Sequence, residues 1–172
     1  MTIRAQSGVT LIELLVTLSI AVILMAIAVP GFQDFFRRNR IDSAVSDLMG
    51  TLNYARSEAI RRGVRVSVCR SSTGTNCTTT EPWDEGWIVF TNPNNDNTVD
   101  AGEEILRVHQ GLPAGVTLNA DFGNRITYQP DGRITNAVGG SFYICHGGTT
   151  DARRIVVIGT GRARVENAST CS

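Results

Sequence analysis

The stretch Gly8-Val9-Thr10-Leu11-Ile12-Glu13 opens a long apolar run near the start of this 172-residue chain. From Leu14 to Val29 the sequence has no charged residue, and its most polar side chains are those of Thr17 and Ser19. Counted from Val9, about 20 residues of helix at about 1.5 Å per residue would cross the roughly 30 Å hydrocarbon core of a bilayer. The sequence therefore predicts a transmembrane helix over residues 9–29.

An ordinary secretory signal would have small residues at a cleavage site after the apolar run. Here Pro30-Gly31-Phe32 follows the run, and a short polar leader at residues 1–8 precedes it. Arg4 in that leader is expected to stay in the cytoplasm. These features argue against an ordinary signal peptide.

Glu13 is the unexpected residue in this region. A carboxylate at the centre of a membrane helix costs about 2.5–3.5 kcal/mol, and less near the interface, so such a group usually marks a function with a partner. The alternative is a chance glutamate in a plain membrane anchor.

Together these residues resemble the class III signal of type IV prepilins and type II secretion pseudopilins. The pattern matches at Gly8, Val9, Thr10-Leu11-Ile12-Glu13 and Pro30. The resemblance implies cleavage after Gly8 by a prepilin peptidase, methylation of the new amine on Val9, and assembly into a filament with other pilins. It also implies that Glu13 pairs with the Val9 amine of its own or a neighbouring subunit, because opposite charges buried in lipid neutralise one another.

After Pro30 the pattern becomes amphipathic over residues 30–62. Apolar residues recur at alternating spacings of four and three, which places them on one helical face. These residues are Ile41, Val45, Leu48, Leu52, Ala55 and Ala59. Pro30 is predicted to kink the helix rather than end it, because the periodicity resumes within a turn. A single helix from about Val9 to about Arg62, ended by Gly63, would be roughly 80 Å long.

From Val64 onward, short apolar and alternating segments predict β-strands separated by turn-rich segments. The predicted strands are 64–69, 86–90, 104–108, 116–118, 125–128, 142–145, 154–158 and 162–165. No helical pattern lies between them, so one or two antiparallel sheets are expected to pack on the helix. The predicted fold class is α+β, with a long N-terminal helix and an antiparallel β-sheet head at residues 63–172, as the resemblance to type IV pilins implies.

Four cysteines form an even set in a head that is expected outside the cytoplasm, which favours disulfides. They are Cys69, Cys77, Cys145 and Cys171. Three pairings are possible. We expect Cys69–Cys77, which closes a polar loop, and Cys145–Cys171, which ties the C-terminal tail to a strand, each contributing about 2–4 kcal/mol to stability. The lack of a CxxC pair argues against zinc.

The chain has 16 basic and 16 acidic residues, so no overall field indicates a nucleic-acid partner. The charge is nevertheless uneven, since the ionisable residues from Glu81 to Glu104 are all acidic and those from Arg153 to Arg164 are all arginine. Cys145-His146 has the residue types of a nucleophile and its base, but adjacent residues on a strand point to opposite faces. No phosphate loop, GxSxG elbow or metal triad is present, so we predict no enzyme and no cofactor.

The loop from Asn92 to Glu103 carries oxygen donors at positions that suggest a calcium loop. The donors are Asn92, Asn94, Asp96, Asp100 and Glu103. The loop departs from the EF-hand pattern because asparagine comes first, Asn97 replaces the central glycine, and predicted strands flank it. A solvated hairpin loop is the favoured interpretation, and calcium binding is the alternative.

The segment Gly159-Thr160-Gly161-Arg162-Ala163-Arg164-Val165 is a second candidate binding element. In an extended chain Arg162 and Arg164 share one face, with guanidiniums spaced to contact successive phosphates. The flanking glycines would permit close backbone approach and offer N–H groups. The alternative is that the arginines protect an edge strand from aggregation.

From about Thr51 to the C-terminus the chain resembles a minor pilin of the FimT/GspH type. The resemblance rests on the helix end, on Gly86–Phe90, on the Asp/Asn loop that closes in Gly-Glu, and on the late Gly-Arg-x-Arg. It implies DNA binding for uptake through the matching residues Gly161, Arg162 and Arg164. Arg153 and Arg154 are near this element only in sequence, so the resemblance assigns them no role.

The sequence thus predicts a minor pilin of a type IV pilus that is anchored in the bacterial inner membrane by one span. Its periplasmic head is expected to bind double-stranded DNA through phosphate contacts without sequence preference. The alternatives are a structural subunit at the tip of a type II secretion pseudopilus and a calcium-stabilised adhesion module.

Overall fold

The computed structural model describes residues 9–147 and 152–171, with the backbone alone for residues 27–34. The leader predicted at residues 1–8, with the cleavage residue Gly8, lies outside these residues, as does the side chain of Pro30. The chain divides into two compact units, and the division falls between Arg37 and Arg38.

Helix α1 runs from Leu11 to Arg62 and contains 52 residues. Its start has reciprocal hydrogen bonds between Thr10 and Glu13. The Thr10 N–H and hydroxyl both donate to Glu13 Oε2 at 3.3 Å, and the Glu13 N–H donates to Thr10 Oγ1 at 3.4 Å. This is a capping box, in which a T-x-x-E sequence satisfies backbone donors at a helix N-terminus.

The large apolar side chains at the start of α1 are exposed. Those from Leu11 to Met25 are half to four-fifths accessible, as Leu14 at 52% and Leu11 at 79% illustrate. Among the residues whose side chains are described, no helical stretch combines the length and the hydropathy that crossing a bilayer requires. The span predicted at 9–29 includes side chains 27–29, which lie outside that set.

Within the second unit, α1 buries the predicted apolar face. Ile41, Val45, Leu48, Leu52, Ala55 and Ala59 are all buried. A fully buried leucine contributes about 1.5–3 kcal/mol relative to an exposed one, so this face anchors the helix to the head. The helix ends as predicted at Gly63, which has φ +69° and donates its N–H to the Ala59 carbonyl.

The described residues of the head form eight strands, all of which pair antiparallel. The strands are β1 (Val66–Arg70), β2 (Gly86–Thr91), β3 (Ile105–Gln110), β4 (Val116–Ala120), β5 (Arg125–Tyr128), β6 (Gly140–His146), β7 (Ala152–Val157) and β8 (Ala163–Ala168). They form two four-stranded sheets with the orders β3-β2-β1-β5 and β4-β6-β7-β8. The predicted α+β class and antiparallel pairing are therefore confirmed.

One apolar core joins the head part of α1 to both sheets. On the first sheet, Trp87 is fully buried and donates its indole N–H to Thr51 of the helix at 3.1 Å. On the second sheet, Phe142 meets Trp83 edge to face, with ring centroids 5.1 Å apart. Trp83 lies in a short 3₁₀ helix, Trp83–Glu85, directly before β2.

Both expected disulfides are present. Cys69 in β1 is bonded to Cys77 in the following loop, and Cys145 in β6 is bonded to Cys171 near the chain end. The second bond carries the tail beyond β8 back across its sheet, where Asn119 of β4 donates to the Cys171 carbonyl at 3.4 Å. The cysteines are therefore structural, as predicted.

Candidate nucleic-acid interface

The Gly-Arg-x-Arg element lies at the start of β8, at the turn that follows β7. The last register pair of the hairpin is Val157 with Ala163. Beyond it the Ile158 N–H donates to the Arg162 carbonyl at 3.0 Å, and the Gly161 N–H donates to the Ile158 carbonyl at 2.8 Å. These two bonds extend the ladder and close the turn, so Arg162 is held in line with the strand.

Gly161 is required by the shape of this turn. Its φ is +79°, and a Cβ at this position would lie 1.9 Å from the Gly132 carbonyl oxygen. A side chain is therefore excluded by both conformation and space. Because Gly161 is buried and its N–H is used within the turn, the expectation that its backbone would meet a ligand is not met. Gly161 instead shapes the turn that presents Arg162.

Arg162 and Arg164 are both exposed, while Ala163 between them packs against the core. Residues two apart in an extended chain lie about 7 Å apart on one face. No hydrogen bond or ion pair joins the Arg162 side chain to any described residue. Arg164 donates through Nε to Glu166 at 2.7 Å. The two arginines line a groove of about 350 Å³ together with Ile158 and Ala163.

Arg154 is a neighbour that the sequence did not reveal. It is the register partner of Glu166, so the two side chains lie on the same face of the sheet as Arg164. Arg154 Nη1 is 3.9 Å from Glu166 Oε2. Arg153 belongs to the opposite face, where its Nε is 3.5 Å from Asp42 of α1. Only the pairing of β7 with β8 distinguishes these two adjacent arginines.

The turn that follows β5, at residues 129–134, lies beside the Gly-Arg-x-Arg turn. Besides the contact of Gly132 with Gly161, the Ile134 N–H donates to the Gly159 carbonyl at 3.2 Å. Arg56 of α1 stabilises this arrangement, because its Nε donates to the Gly132 carbonyl at 2.9 Å. Arg133, in the same turn, has an exposed side chain with no hydrogen bond or ion pair to the described residues. The structure thus brings a second unpaired arginine into the vicinity.

The Asp/Asn loop at residues 92–103 differs from the arrangement expected of a calcium-binding loop. Asn92 is fully buried, and its amide donates to Ser67 and to the Asp96 carbonyl at 2.9 Å. It is therefore a structural residue rather than a ligand. Carboxylate oxygens of Asp96, Asp100 and Glu103 lie within 4.8 Å of one another, and the Asn94 amide donates to both aspartates at 2.9 and 2.7 Å.

The loop is also tied to the first sheet by Arg125. Its guanidinium donates to Asn97 Oδ1, Asn95 Oδ1 and the Asn95 carbonyl at 2.9–3.0 Å. Burial lowers the pKa of Arg125. At the loop tip, hydrogen bonds, foremost from the Thr98 N–H, lower the pKa of Asp96. The loop is thus ordered by side chains of the protein itself.

The two histidines have different surroundings. His109 of β3 stacks on Trp87, its register partner, with ring centroids 3.9 Å apart, and its Nε2 is 3.6 Å from Asp47 Oδ2. Sequence reasoning missed this contact because it depends on the pairing of β2 with β3. His146 follows the disulfide residue Cys145, so this pair offers no free thiol nucleophile.

A helix whose start carries the motif Val9–Glu13, joined to a head of two antiparallel sheets, defines a pilin-like protein. Residues 3–29 match the prokaryotic N-terminal methylation motif, and residues 44–161 match the family "Type II transport protein GspH". The pilin-like protein PilA1 of Thermus thermophilus is 31% identical over 167 residues, which cover 94% of this chain and 99% of that protein. The chain belongs to the GspH family of minor pilins and pseudopilins.

Other similar proteins match smaller shares of the chain. A fimbrial protein of Pseudomonas aeruginosa is 41% identical over 63 residues, which are 37% of this chain and 40% of that protein. The crystal structure of the type IV minor pilin FimU from Pseudomonas aeruginosa has a TM-score of 0.62 at 24% identity, covering 80% of this chain and 99% of that one. The minor pseudopilin EpsH from the type II secretion system of Vibrio cholerae has a TM-score of 0.53 at 13% identity, covering 74% and 97%.

The family match ends at residue 161, directly before Arg162 and Arg164. The matched segment therefore includes the turn glycines and excludes the two arginines.

Proposed function

We propose that this protein is a minor pilin of a type IV pilus whose head binds double-stranded DNA for natural transformation. The observation that carries the proposal is the exposed Arg162 guanidinium, which has no partner among the described residues and stands next to Arg164 in an ordered hairpin. Arginine binds phosphate oxygens with paired N–H donors. Two such groups about 7 Å apart would contact a DNA backbone and recognise phosphates rather than bases.

The ordered turn supports this role because it reduces the entropy lost on binding. The backbone bonds of Ile158, Gly161 and Arg162 fix the direction of the strand, and the contact of Gly161 with Gly132 fixes the turn against the head. Only side-chain torsions of the two arginines then need to be ordered by DNA. Zero net charge means that the attraction is local, so binding is expected to be weak at physiological salt.

For the N-terminal unit we propose cleavage after Gly8 by a prepilin peptidase, methylation of Val9, and storage in the inner membrane with a periplasmic head. The methylation-motif match at residues 3–29 supports this sequence of events. The exposed apolar side chains of α1 support a role in assembly, because such a surface needs lipid or other pilin helices around it. In the filament Glu13 would exchange its contact with Thr10 for the Val9 amine of its own or a neighbouring subunit.

The experiment is retardation of a labelled duplex by the full-length chain in nonionic detergent. Arg162→Gln/Arg164→Gln should retain little binding at low salt. The matched control is Arg65→Gln/Arg107→Gln, which removes the same charge from exposed arginines elsewhere on the head. Equal loss in both double variants would assign the binding to net charge, and full binding by the first would remove the site from Arg162 and Arg164.

A structural role in the tip of a type II secretion pseudopilus is the second candidate. It is favoured by the GspH family match over residues 44–161 and by the likeness in fold to EpsH. In that case the head would contact neighbouring pseudopilins. Co-assembly with pseudopilins, together with unchanged assembly of Arg162→Gln/Arg164→Gln and no DNA retardation by the parent, would favour this function.

A further inference from the structure

Unlike Arg162, Arg164 already has a partner among the described residues, which is the carboxylate of Glu166. Glu166 Oε1 accepts from Arg164 Nε at 2.7 Å, and Glu166 Oε2 is 3.9 Å from Arg154 Nη1. One carboxylate thus faces two guanidiniums on two neighbouring strands. Phosphate and carboxylate bind arginine through the same oxygen geometry.

We infer that Arg154 is a third phosphate-binding arginine of this surface, and that Glu166 is an internal competitor that DNA phosphate displaces. The inference rests on the proposed DNA binding and names a further contact residue and a control on affinity. It places the DNA path diagonally across the hairpin, from Arg162 over Arg164 to Arg154.

The register of the sheet supports this path. Arg164 pairs with Val156 and Glu166 pairs with Arg154, so the two arginines are diagonal neighbours on adjacent strands. Such neighbours lie about 7–8 Å apart. This is close to the spacing of Arg162 and Arg164 along the chain, so one phosphodiester chain could contact all three in turn.

Arg154 is also held in a fixed orientation. Its Nε donates to Ser141 Oγ at 2.9 Å, and its guanidinium lies over the Tyr143 ring at 5.6 Å from the centroid. Ser141 is itself buried. Arg154 lines a groove of about 390 Å³ that shares Ile158 with the groove beside Arg162. Asp121 lines the same groove. Its negative charge would repel DNA, so the DNA path is expected to end before Asp121.

The contact that must be displaced is exposed. The side chains of Arg164 and Glu166 are 61% and 35% accessible, and exposed ion pairs are weak because water and salt screen them. A DNA phosphate, which carries its charge within a polyanion, can therefore replace the carboxylate. The cost of displacing Glu166 would lower DNA affinity about two- to five-fold.

The first test is Glu166→Gln in the full-length chain, measured by fluorescence anisotropy with a labelled duplex. The expected result is a two- to five-fold gain in affinity. Glu85→Gln is the matched control, since it removes the same charge from an exposed position on another part of the head. An equal gain in both variants would overturn the role of Glu166.

The second test separates a specific competitor from a general charge effect. In an Arg154→Gln/Arg164→Gln background, Glu166 has no arginine to occupy. Its replacement by glutamine should then give no more than the gain of Glu85→Gln in the same background. A gain as large as in the parent would contradict the inference.

The third test compares the adjacent arginines of β7. Arg154→Gln should reduce the slope of log affinity against log salt by about one, as expected for a lost phosphate contact. Arg153→Gln, on the opposite face, should leave the slope unchanged, and both variants should melt close to the parent. Equal slopes for the two variants would remove Arg154 from the site.

These outcomes differ from failure of the proposed function itself. If the parent binds DNA and loses binding in Arg162→Gln/Arg164→Gln, while Glu166→Gln and Arg154→Gln behave as the parent, only the present inference is wrong. If the parent shows no binding and Glu166→Gln shows none either, both are wrong.

Discussion

Two arginines lie close together at the end of the helix, and two more lie at the start of the last strand. The first pair is bonded to buried and neighbouring carboxylates, whereas the second pair is largely available to solvent. Arg61 and Arg62 both donate to Glu58 at 2.6–2.9 Å, and Arg62 reaches Glu104 before β3 at 2.5 Å. Glu58 is buried, with 9% of its side chain accessible. At the other site Arg162 has no partner among the described residues and Arg164 has one exposed partner.

The difference shows how to separate structural arginines from available ones. The pair at the helix end, Arg61 and Arg62, holds α1 against the first sheet. Both side chains already donate hydrogen bonds to the buried carboxylate of Glu58. At the hairpin, the Arg162 donors face solvent, and Arg164 donates to the partly exposed Glu166. Changes at the helix end should therefore alter stability and leave DNA binding by the folded protein intact, while changes at the hairpin should do the reverse.

The largest effect on stability is expected from the disulfide that secures the tail beside the hairpin. Cys145→Ala/Cys171→Ala opens a loop with a sequence separation of 26 and should lower the free energy of unfolding by about 3.5 kcal/mol. Cys69→Ala/Cys77→Ala, with a separation of 8, should lower it by about 2.6 kcal/mol. Denaturant unfolding of the oxidised proteins measures both. The reverse order would show that loop length does not control stability here.

The next effect concerns the carboxylate at the helix end. Glu58→Gln weakens three hydrogen bonds from arginines and should lower the free energy of unfolding by about 1–3 kcal/mol, because a buried charged acceptor is replaced by a neutral one. Glu85→Gln, an exposed control, should change it by less than about 0.5 kcal/mol. If Glu58→Gln also abolished DNA binding while still folded, the proposed separation of roles would fail.

Glu58 should also make stability depend on pH. Hydrogen bonds from Arg61 and then Arg62 lower the pKa of Glu58 from 4.5 to about 2. Because the folded state holds this proton less tightly than the unfolded state, the stabilisation is complete above about pH 4.5 and is lost as pH falls towards 2. Unfolding curves across this range should show the loss in the parent and a smaller loss in Glu58→Gln. Parallel curves would assign the acid sensitivity to other carboxylates.

The smallest effect on stability is expected at the hairpin. Arg162→Gln/Arg164→Gln removes an unpaired side chain and one exposed ion pair, so the free energy of unfolding should change by less than about 0.5 kcal/mol. Thermal unfolding followed by circular dichroism measures this change. A loss above about 1 kcal/mol would mean that these arginines stabilise the folded hairpin, which would contradict the proposed separation of roles.

Local patterns in the sequence were enough to predict most of the head. The spacing from Ile41 to Ala59 predicted the buried face of α1, and alternating apolar residues located all eight strands to within a few residues. The expected disulfide pairing, one of three possible, was confirmed as well. The T-x-x-E spacing of Thr10 and Glu13 is also typical of a capping box, and the structure forms one.

The candidate site was only partly predictable, because it depends on contacts between distant segments. The sequence suggested that the Gly161 backbone could contact a ligand. In the structure Gly161 packs against Gly132, and its N–H donates to the Ile158 carbonyl within the turn. Which of Arg153 and Arg154 shares a face with Arg164 depends on strand register, and the burial of Asn92 depends on Ser67 of β1. Periodicity reports which face a residue occupies within its own strand, and it carries no information about the neighbouring strand.

The most direct measurement is the salt dependence of duplex binding by the parent and by Arg162→Gln/Arg164→Gln, between about 50 and 200 mM salt. We predict that the slope of log affinity against log salt falls by about 1.8 in the double variant, as expected for two lost phosphate contacts, with no change in melting temperature. Equal affinity and equal slope for the two proteins would contradict it.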